Sequence, residues 1–177
     1  MDVMKYMDAL KQSMEMLSQD KNRIFLGYNI CFGSQAYGTL KDVPKEKKIE
    51  TPVAENLMVG LAIGMALEGY KPVLFFERHD FMLNALDGIA NHLDKINELT
   101  HGKLNAPIII RATVGSKKPL YPGIQHIQDH TCAFKKMVHF PIYEPKTSLE
   151  VIQTYEKIRD SQEPTMVIER KELYHDE

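Results

Sequence analysis

Apolar residues fall along this chain either at helical spacing or in short continuous runs. Met4, Met7, Leu10, Met14 and Leu17 recur at helical spacing, which predicts an amphipathic helix over residues 3–18. The run RIFLGYN (23–29) is short, apolar and broken at Gly27, as a buried strand would be. Residues 30–48, ICFGSQAYGTLKDVPKEKK, lose all periodicity and read as a long loop; loops of that length in a compact domain are usually functional. A second helix is expected from Thr51, a suitable cap, and Pro52 to about Glu68, where Gly69 stops it. KPVLFF (71–76) is a buried strand, 80–99 a helix, and APIIIRATVG (106–115) the strongest strand in the chain. A turn-rich loop SKKPLYPG (116–123), a helix over 127–138, a strand FPIYEP (140–145), a helix capped by Thr147 or Ser148 running to about Asp160, and a last strand PTMVIER (164–170) complete the pattern. Strands alternating with helices predict an α/β fold of three layers, a doubly wound, mostly parallel sheet with helices on both faces. In such sheets ligands bind at the carboxyl ends of the strands. The loop after Asn29 and the stretches ERHDF (77–81) and GIQHIQDH (123–130) sit there.

Composition narrows the class. The chain has 177 residues, enough for one domain, expected to span 1–177. Its formal charge is -2, so it carries no global basic field for nucleic acid. Lys41, Lys45, Lys47 and Lys48 cluster, but Asp42 and Glu46 interrupt them, and the run reads as a solvated loop. Cys31 and Cys132 are the only cysteines and form no paired motif, which fits a reducing cytoplasm. No signal-peptide pattern and no membrane-length apolar run are read.

Several side chains could carry chemistry, and each has a plainer reading. Glu55 opens the apolar helix segment ENLMVGLAIGMAL. It is either a first-turn acid favoured by the helix dipole or a carboxyl group in an apolar setting that shares a proton. Gly60 and Gly64 share one helix face and allow close backbone approach, either to the domain's own sheet or to a helix of another subunit. Phe81, after His79 and Asp80, is a core residue or a stacking platform for a planar ring. His126 and His130 stand four apart, but a third metal ligand at convincing spacing is missing; His126, in a loop near strand ends, is a candidate acid or base. No phosphate-cradling glycine motif and no nucleophile elbow are present.

Taken together and in order, these segments resemble the pyrimidine-binding domain of transketolase-like thiamine diphosphate enzymes. They resemble most the beta subunit of the dehydrogenase component of 2-oxo-acid dehydrogenase complexes. IETPVAENLMVGLAIGMALEGYKPV is similar to that subunit's D-T-P-I-S-E, G-x-A-x-G and G-x-R-P. ERHDFMLNALDGIANHLDKI matches its aromatic segment, RATVG its R-G-P-x-G, GIQHIQDH its G-x-Q-H-S-Q, and PTMVIERKELY the end of the domain. The resemblance implies that Glu55 hydrogen-bonds a ring nitrogen of the cofactor's aminopyrimidine. It implies that Phe81 stacks on that ring, that Tyr28 lies beside the cofactor, and that His126 and, with it, His79 meet the substrate. Gly60 and Gly64 fall on the family's subunit-interface helix.

The chain also departs from the family. The family often has two acids where Tyr28 and Asn29 stand, often an aromatic at His79, and usually a small or polar residue at Ile127. These departures imply a substrate other than pyruvate or the branched-chain oxo acids. No diphosphate-binding G-D-G motif is found, since Asp87 and Gly88 do not begin one. The expectation is therefore one half of a split enzyme acting on a 2-oxo acid or ketose. A separate subunit would hold the diphosphate and its magnesium in a heterotetramer or larger assembly. The alternatives are a non-oxidative decarboxylase or carboligase subunit, a non-catalytic regulatory subunit of the same fold, and a flavodoxin-like ligand-binding domain.

Overall fold

The computed structural model describes residues 4–175. Its elements, in chain order, are α1 (Tyr6–Ser18), β1 (Arg23–Gly27), β2 (Lys48–Glu50), α2 (Glu55–Leu67), β3 (Lys71–Phe76), α3 (Ile96–Leu99), β4 (Ile109–Val114), α4 (Thr131–Met137), β5 (Ile142–Tyr143), α5 (Ser148–Ile158) and β6 (Thr165–Arg170). The six strands form one sheet in the order β2-β1-β3-β4-β6-β5, and every pairing is parallel. This is the expected doubly wound α/β architecture.

The alternation of side chains along each strand explains why both faces are covered. In β3, Leu74 and Phe76 enter one core with Met58, Val59 and Ala62 of α2 and Phe134 of α4. Val73 and Phe75 enter the opposite core with Leu10 and Met14 of α1 and Tyr155 of α5. β6 divides in the same way, with Met166 and Ile168 on the first side and Val167 on the second.

The second core also holds a buried ion pair that periodicity does not reveal. Arg111 and Glu169 are both fully buried, with Nε–Oε1 2.7 Å and Nη2–Oε2 2.9 Å. Tyr155 and Tyr174 hydroxyls donate to the same carboxylate at 3.0 and 2.6 Å. Burial opposes the charge on Arg111, but Glu169 more than offsets it and holds the guanidinium pKa above its ordinary value.

Four elements differ from expectation. The loop over 30–48 runs into β2, a three-residue edge strand whose partial exposure leaves no apolar alternation to read. Glu50 at its end accepts the backbone amides of Asn29, Ile30 and Cys31 at 2.6, 3.0 and 2.7 Å, which ties the loop back to β1. The second helix starts at Glu55, not Thr51, because the Thr51 amide is taken by the Gly27 carbonyl at 2.9 Å; Ala54 stands at the cap without a side-chain bond. The helix expected over 80–99 is broken into a 3₁₀ segment His79–Ala85, a π-helical turn Gly88–Leu93 and α3. Contacts distant in sequence hold its two ends: Asp80 receives Gln128, and Asp94 receives the amides of His139 and Phe140. α4 covers only Thr131–Met137, since the Gln128 amide is held by Asp80 and the His130 amide by His79. Thr147 caps α5 as expected, accepting from the Glu150 amide at 3.2 Å, and Gly69 ends the α2 segment at φ 88°. In the lysine run, Lys47 and Lys48 donate to the carbonyls of Asp20 and Leu40, so those two close the loop as well as face solvent.

Candidate active site

The parallel sheet puts the ends of β1, β3, β4 and β6 on one side of the molecule, and most of the predicted site residues lie there. Glu55 is the first residue of α2, where the helix dipole favours a carboxylate, and it is only 4% exposed. Among the described residues, its side chain has one hydrogen bond, a long one, 3.3 Å from Asn84 Nδ2. The Tyr28 ring, just past β1, is buried, and its hydroxyl lies near the Glu77 backbone with no well-formed hydrogen bond among the described residues. Burial pushes that phenol above its usual pKa, and the charge of Glu55 adds to the shift. The buried Thr51 hydroxyl is likewise unpartnered. Buried polar groups normally find partners. An acid with spare acceptor capacity and a phenol with a free hydroxyl therefore describe a site for a polar ring. Phe81, half-buried, supplies an aromatic face and meets His126 edge-on, with ring centroids 5.3 Å apart.

His126 is brought to Phe81 by a tight backbone crossing. Gly115, just after β4, lies against the His126 carbonyl so closely that a Cβ there would collide with it. His126 Nδ1 is buried without a partner. The stretch that follows is clamped from two sides. Asp80 Oδ1 accepts from the Gln128 amide and from Nε2 at 3.2 and 2.9 Å. Asp129 pairs with Arg170 of β6 at 2.8 Å. Burial works against the Asp129 charge, but Thr131 and Arg170 hold its pKa at about 2.

His79 does not reach a surface where a substrate could meet it. It is fully buried, stacked on Phe134 at 5.5 Å, and its Nδ1 accepts from the His130 amide at 3.3 Å. Burial lowers its pKa to about 4, so it is neutral at neutral pH. Its place is inside the fold, behind the His126 segment. The sequence reading also missed Asn84, Thr51, Asp80 and Gly115. Asp80 and Gly115 lie inside the quoted stretches ERHDF and RATVG, but their partners are far away in sequence.

Gly60 and Gly64 face outward. A Cβ at either would meet nothing within 4 Å, and Leu57, Leu61 and Leu67 on that side are exposed. Packing against the domain's own sheet falls to Met58, Val59, Ala62 and Ala66 instead. A cleft of about 1100 Å³ is lined by Val114, Ser116, Lys117, Ile127, Asp129 and Arg170 among others, and not by Glu55. Among the described residues no group of three or more His, Cys, Asp or Glu is arranged to hold a metal. No described helix is long and apolar enough to cross a membrane.

The parallel doubly wound sheet is a fold this chain shares with known proteins. The chain belongs to the family described as transketolase, pyrimidine binding domain, which matches residues 2–176. It is 26% identical over 180 residues to the 2-oxoisovalerate dehydrogenase subunit beta of Bacillus subtilis (strain 168), covering 98% of this chain and 54% of that protein. It is 26% identical over 172 residues to the mitochondrial pyruvate dehydrogenase E1 component subunit beta-1 of Arabidopsis thaliana, covering 94% and 47%. A solved structure titled split gene transketolase, inactive beta4 tetramer, superposes with a TM-score of 0.72 at 17% identity, over 92% of this chain and 50% of that one. The chain thus spans about half the length of the proteins it matches.

Proposed function

We propose that this chain is the pyrimidine-binding subunit of a split thiamine diphosphate-dependent enzyme that acts on a 2-oxo acid or a ketose. The observation that carries the proposal is Glu55, buried at the start of α2 with one long hydrogen bond, beside the unpartnered Tyr28 hydroxyl. An acid so placed costs stability unless a partner restores its hydrogen bonds. A pyrimidine ring nitrogen is such a partner, and Phe81 offers the stacking surface. When bound, thiamine diphosphate supplies the carbanion-stabilising chemistry. Glu55 holds a proton at the ring nitrogen, Tyr28 closes the wall of the site, and His126 handles a substrate proton or polar group. His79 and Asp80 fix the segment that carries His126.

A second subunit completes the assembly in this proposal. It would hold the diphosphate and magnesium, and the outward face of Gly60, Gly64, Leu57 and Leu61 is the surface through which this chain joins another copy. The structural neighbour described as an inactive tetramer of one subunit type supports a reading in which this chain self-associates and is inactive by itself. The cytoplasm, the expected location, suits two free thiols.

The test is calorimetric titration of thiamine diphosphate with magnesium, into this chain alone and into its mixture with a diphosphate-binding subunit. Binding confined to the mixture and lost in Glu55→Ala is the expected result. Binding and turnover that survive Glu55→Ala in a confirmed complex would remove Glu55 from the chemistry and favour a regulatory subunit. Product analysis of the active mixture separates oxidative transfer from release of a free aldehyde.

A further inference from the structure

Two side chains leave the 3₁₀ segment His79–Ala85 in one direction. At three residues per turn, positions i and i+3 eclipse. Met82 and Ala85 stand three apart and are buried in one core with Met58, Val59 and Ala62 of α2. Phe81 and Asn84 also stand three apart, so the ring and the amide project together. Gly88 presses the following turn onto α2, since a Cβ there would come within 3.0 Å of Val59. The backbone under Asn84 is therefore fixed by its neighbours, although the Asn84 side chain is itself exposed.

That amide meets Glu55. Asn84 Nδ2 donates to Glu55 Oε2 at 3.3 Å, and neither side chain has another hydrogen bond among the described residues. The contact divides the carboxylate: Oε2 is tethered, and Oε1 keeps all of its acceptor capacity. A primary amide suits this place for a second reason. It donates Nδ2–H to an ionised carboxylate and, turned over, accepts with Oδ1 from a protonated one. Asn84 can therefore stay bonded to Glu55 while a proton enters or leaves. Leucine of similar size has no polar atom to do so.

We infer that Asn84 is a positioning residue for Glu55. It holds the carboxyl group by Oε2 in both protonation states and leaves Oε1 for the ring that Phe81 stacks. That this ring is the pyrimidine of thiamine diphosphate rests on the function proposed above; the hold on Glu55 does not.

The first measurement needs neither cofactor nor partner. The full chain is labelled at the glutamate carboxyl carbon, and the Glu55 signal is followed by NMR between pH 4 and 8. Wild type is compared with Asn84→Leu, Asn84→Gln and Asn91→Leu, the last an exposed asparagine further along the same segment. Tyr28 is a titratable neighbour in the field of Glu55, and burial keeps its phenol neutral over this range. A donor to the ionised carboxylate lowers the pH at which it takes up a proton. The Glu55 midpoint should therefore move up by about half a pH unit in Asn84→Leu, return towards wild type in Asn84→Gln, and stay in place in Asn91→Leu. The melting temperature of Asn84→Leu should match wild type, because the side chain is exposed. A midpoint unmoved in Asn84→Leu, or moved equally in Asn91→Leu, would overturn the inference.

The second measurement reads the orientation of Oε1. In the mixture with a diphosphate-binding subunit, calorimetric affinity for thiamine diphosphate with magnesium should fall about tenfold in Asn84→Leu and recover in Asn84→Gln, with kcat lowered and the substrate KM unchanged. Full affinity and kcat in Asn84→Leu, despite a displaced Glu55 midpoint, would show that the hold does not serve the ring. A wild-type mixture that binds no cofactor overturns the proposed function instead, and the Glu55 titration then decides the hold by itself.

Discussion

His79 makes the structure testable by acid. Its imidazole is fully buried, and burial lowers its pKa from 6.5 to about 4. Between those values the unfolded chain binds a proton that the native chain refuses, so stability falls as pH drops from 6.5 to 4 and is fully present above 6.5. A shift of that size corresponds to about 3 kcal/mol at one pKa unit per 1.36 kcal/mol. Urea denaturation at pH 7, 6, 5 and 4 measures it, with wild type compared to His79→Asn. The asparagine keeps an acceptor for the His130 amide and removes the titrating ring. Wild type should lose about 3 kcal/mol more than the variant across this range. Because His79 braces the His126 segment, amide shifts of residues 124–130 should move with the same midpoint. Equal pH slopes in the two proteins, or an imidazole midpoint near 6.5 by NMR, would show that His79 is not held neutral in the core and that its bracing role is wrong.

Other expected outcomes follow from single contacts. Glu169→Gln leaves a buried guanidinium uncompensated and should cost about 3–5 kcal/mol in urea denaturation, whereas breaking the exposed Lys11–Asp42 pair should leave the denaturation midpoint nearly unchanged. Gly115→Ala must push away the His126 carbonyl, so it should destabilise by about 1–3 kcal/mol and lower kcat of the reconstituted enzyme more than it raises KM. Gly64→Gln has open space around it and should leave the melting temperature of the isolated chain unchanged or higher, while sizing chromatography shows weakened self-association.

Much of this molecule follows from local pattern. The short apolar runs of β3, β4 and β6 and the helical period of α1 and α5 are set by residues that must be buried against neighbouring elements, and such runs are legible wherever they occur. A strand buried on both sides is continuously apolar, which is why Lys71–Phe76 and Ile109–Val114 stand out. Glu55 stands out for the opposite reason, as an acid in an apolar segment. What the sequence leaves open are features made by contacts distant in the chain. The segment 79–99 has helical spacing, but Asp80 and Asp94 are captured by residues about 45 or more positions away, and it breaks into short turns. Thr51 looks like a cap, yet its amide belongs to Gly27. Arg111 and Glu169 look like ordinary strand charges until β4 and β6 become neighbours and align them. His79 and His126 lie in similar polar stretches, and only the packing of Phe134 and Phe81 buries the first in the core and sets the second at the strand ends. Local pattern therefore determined the parallel sheet and the acid at the start of α2, because burial of apolar faces acts over a few residues. Tertiary structure decided which polar groups are left without partners, because a hydrogen bond can be satisfied by any residue the fold brings near.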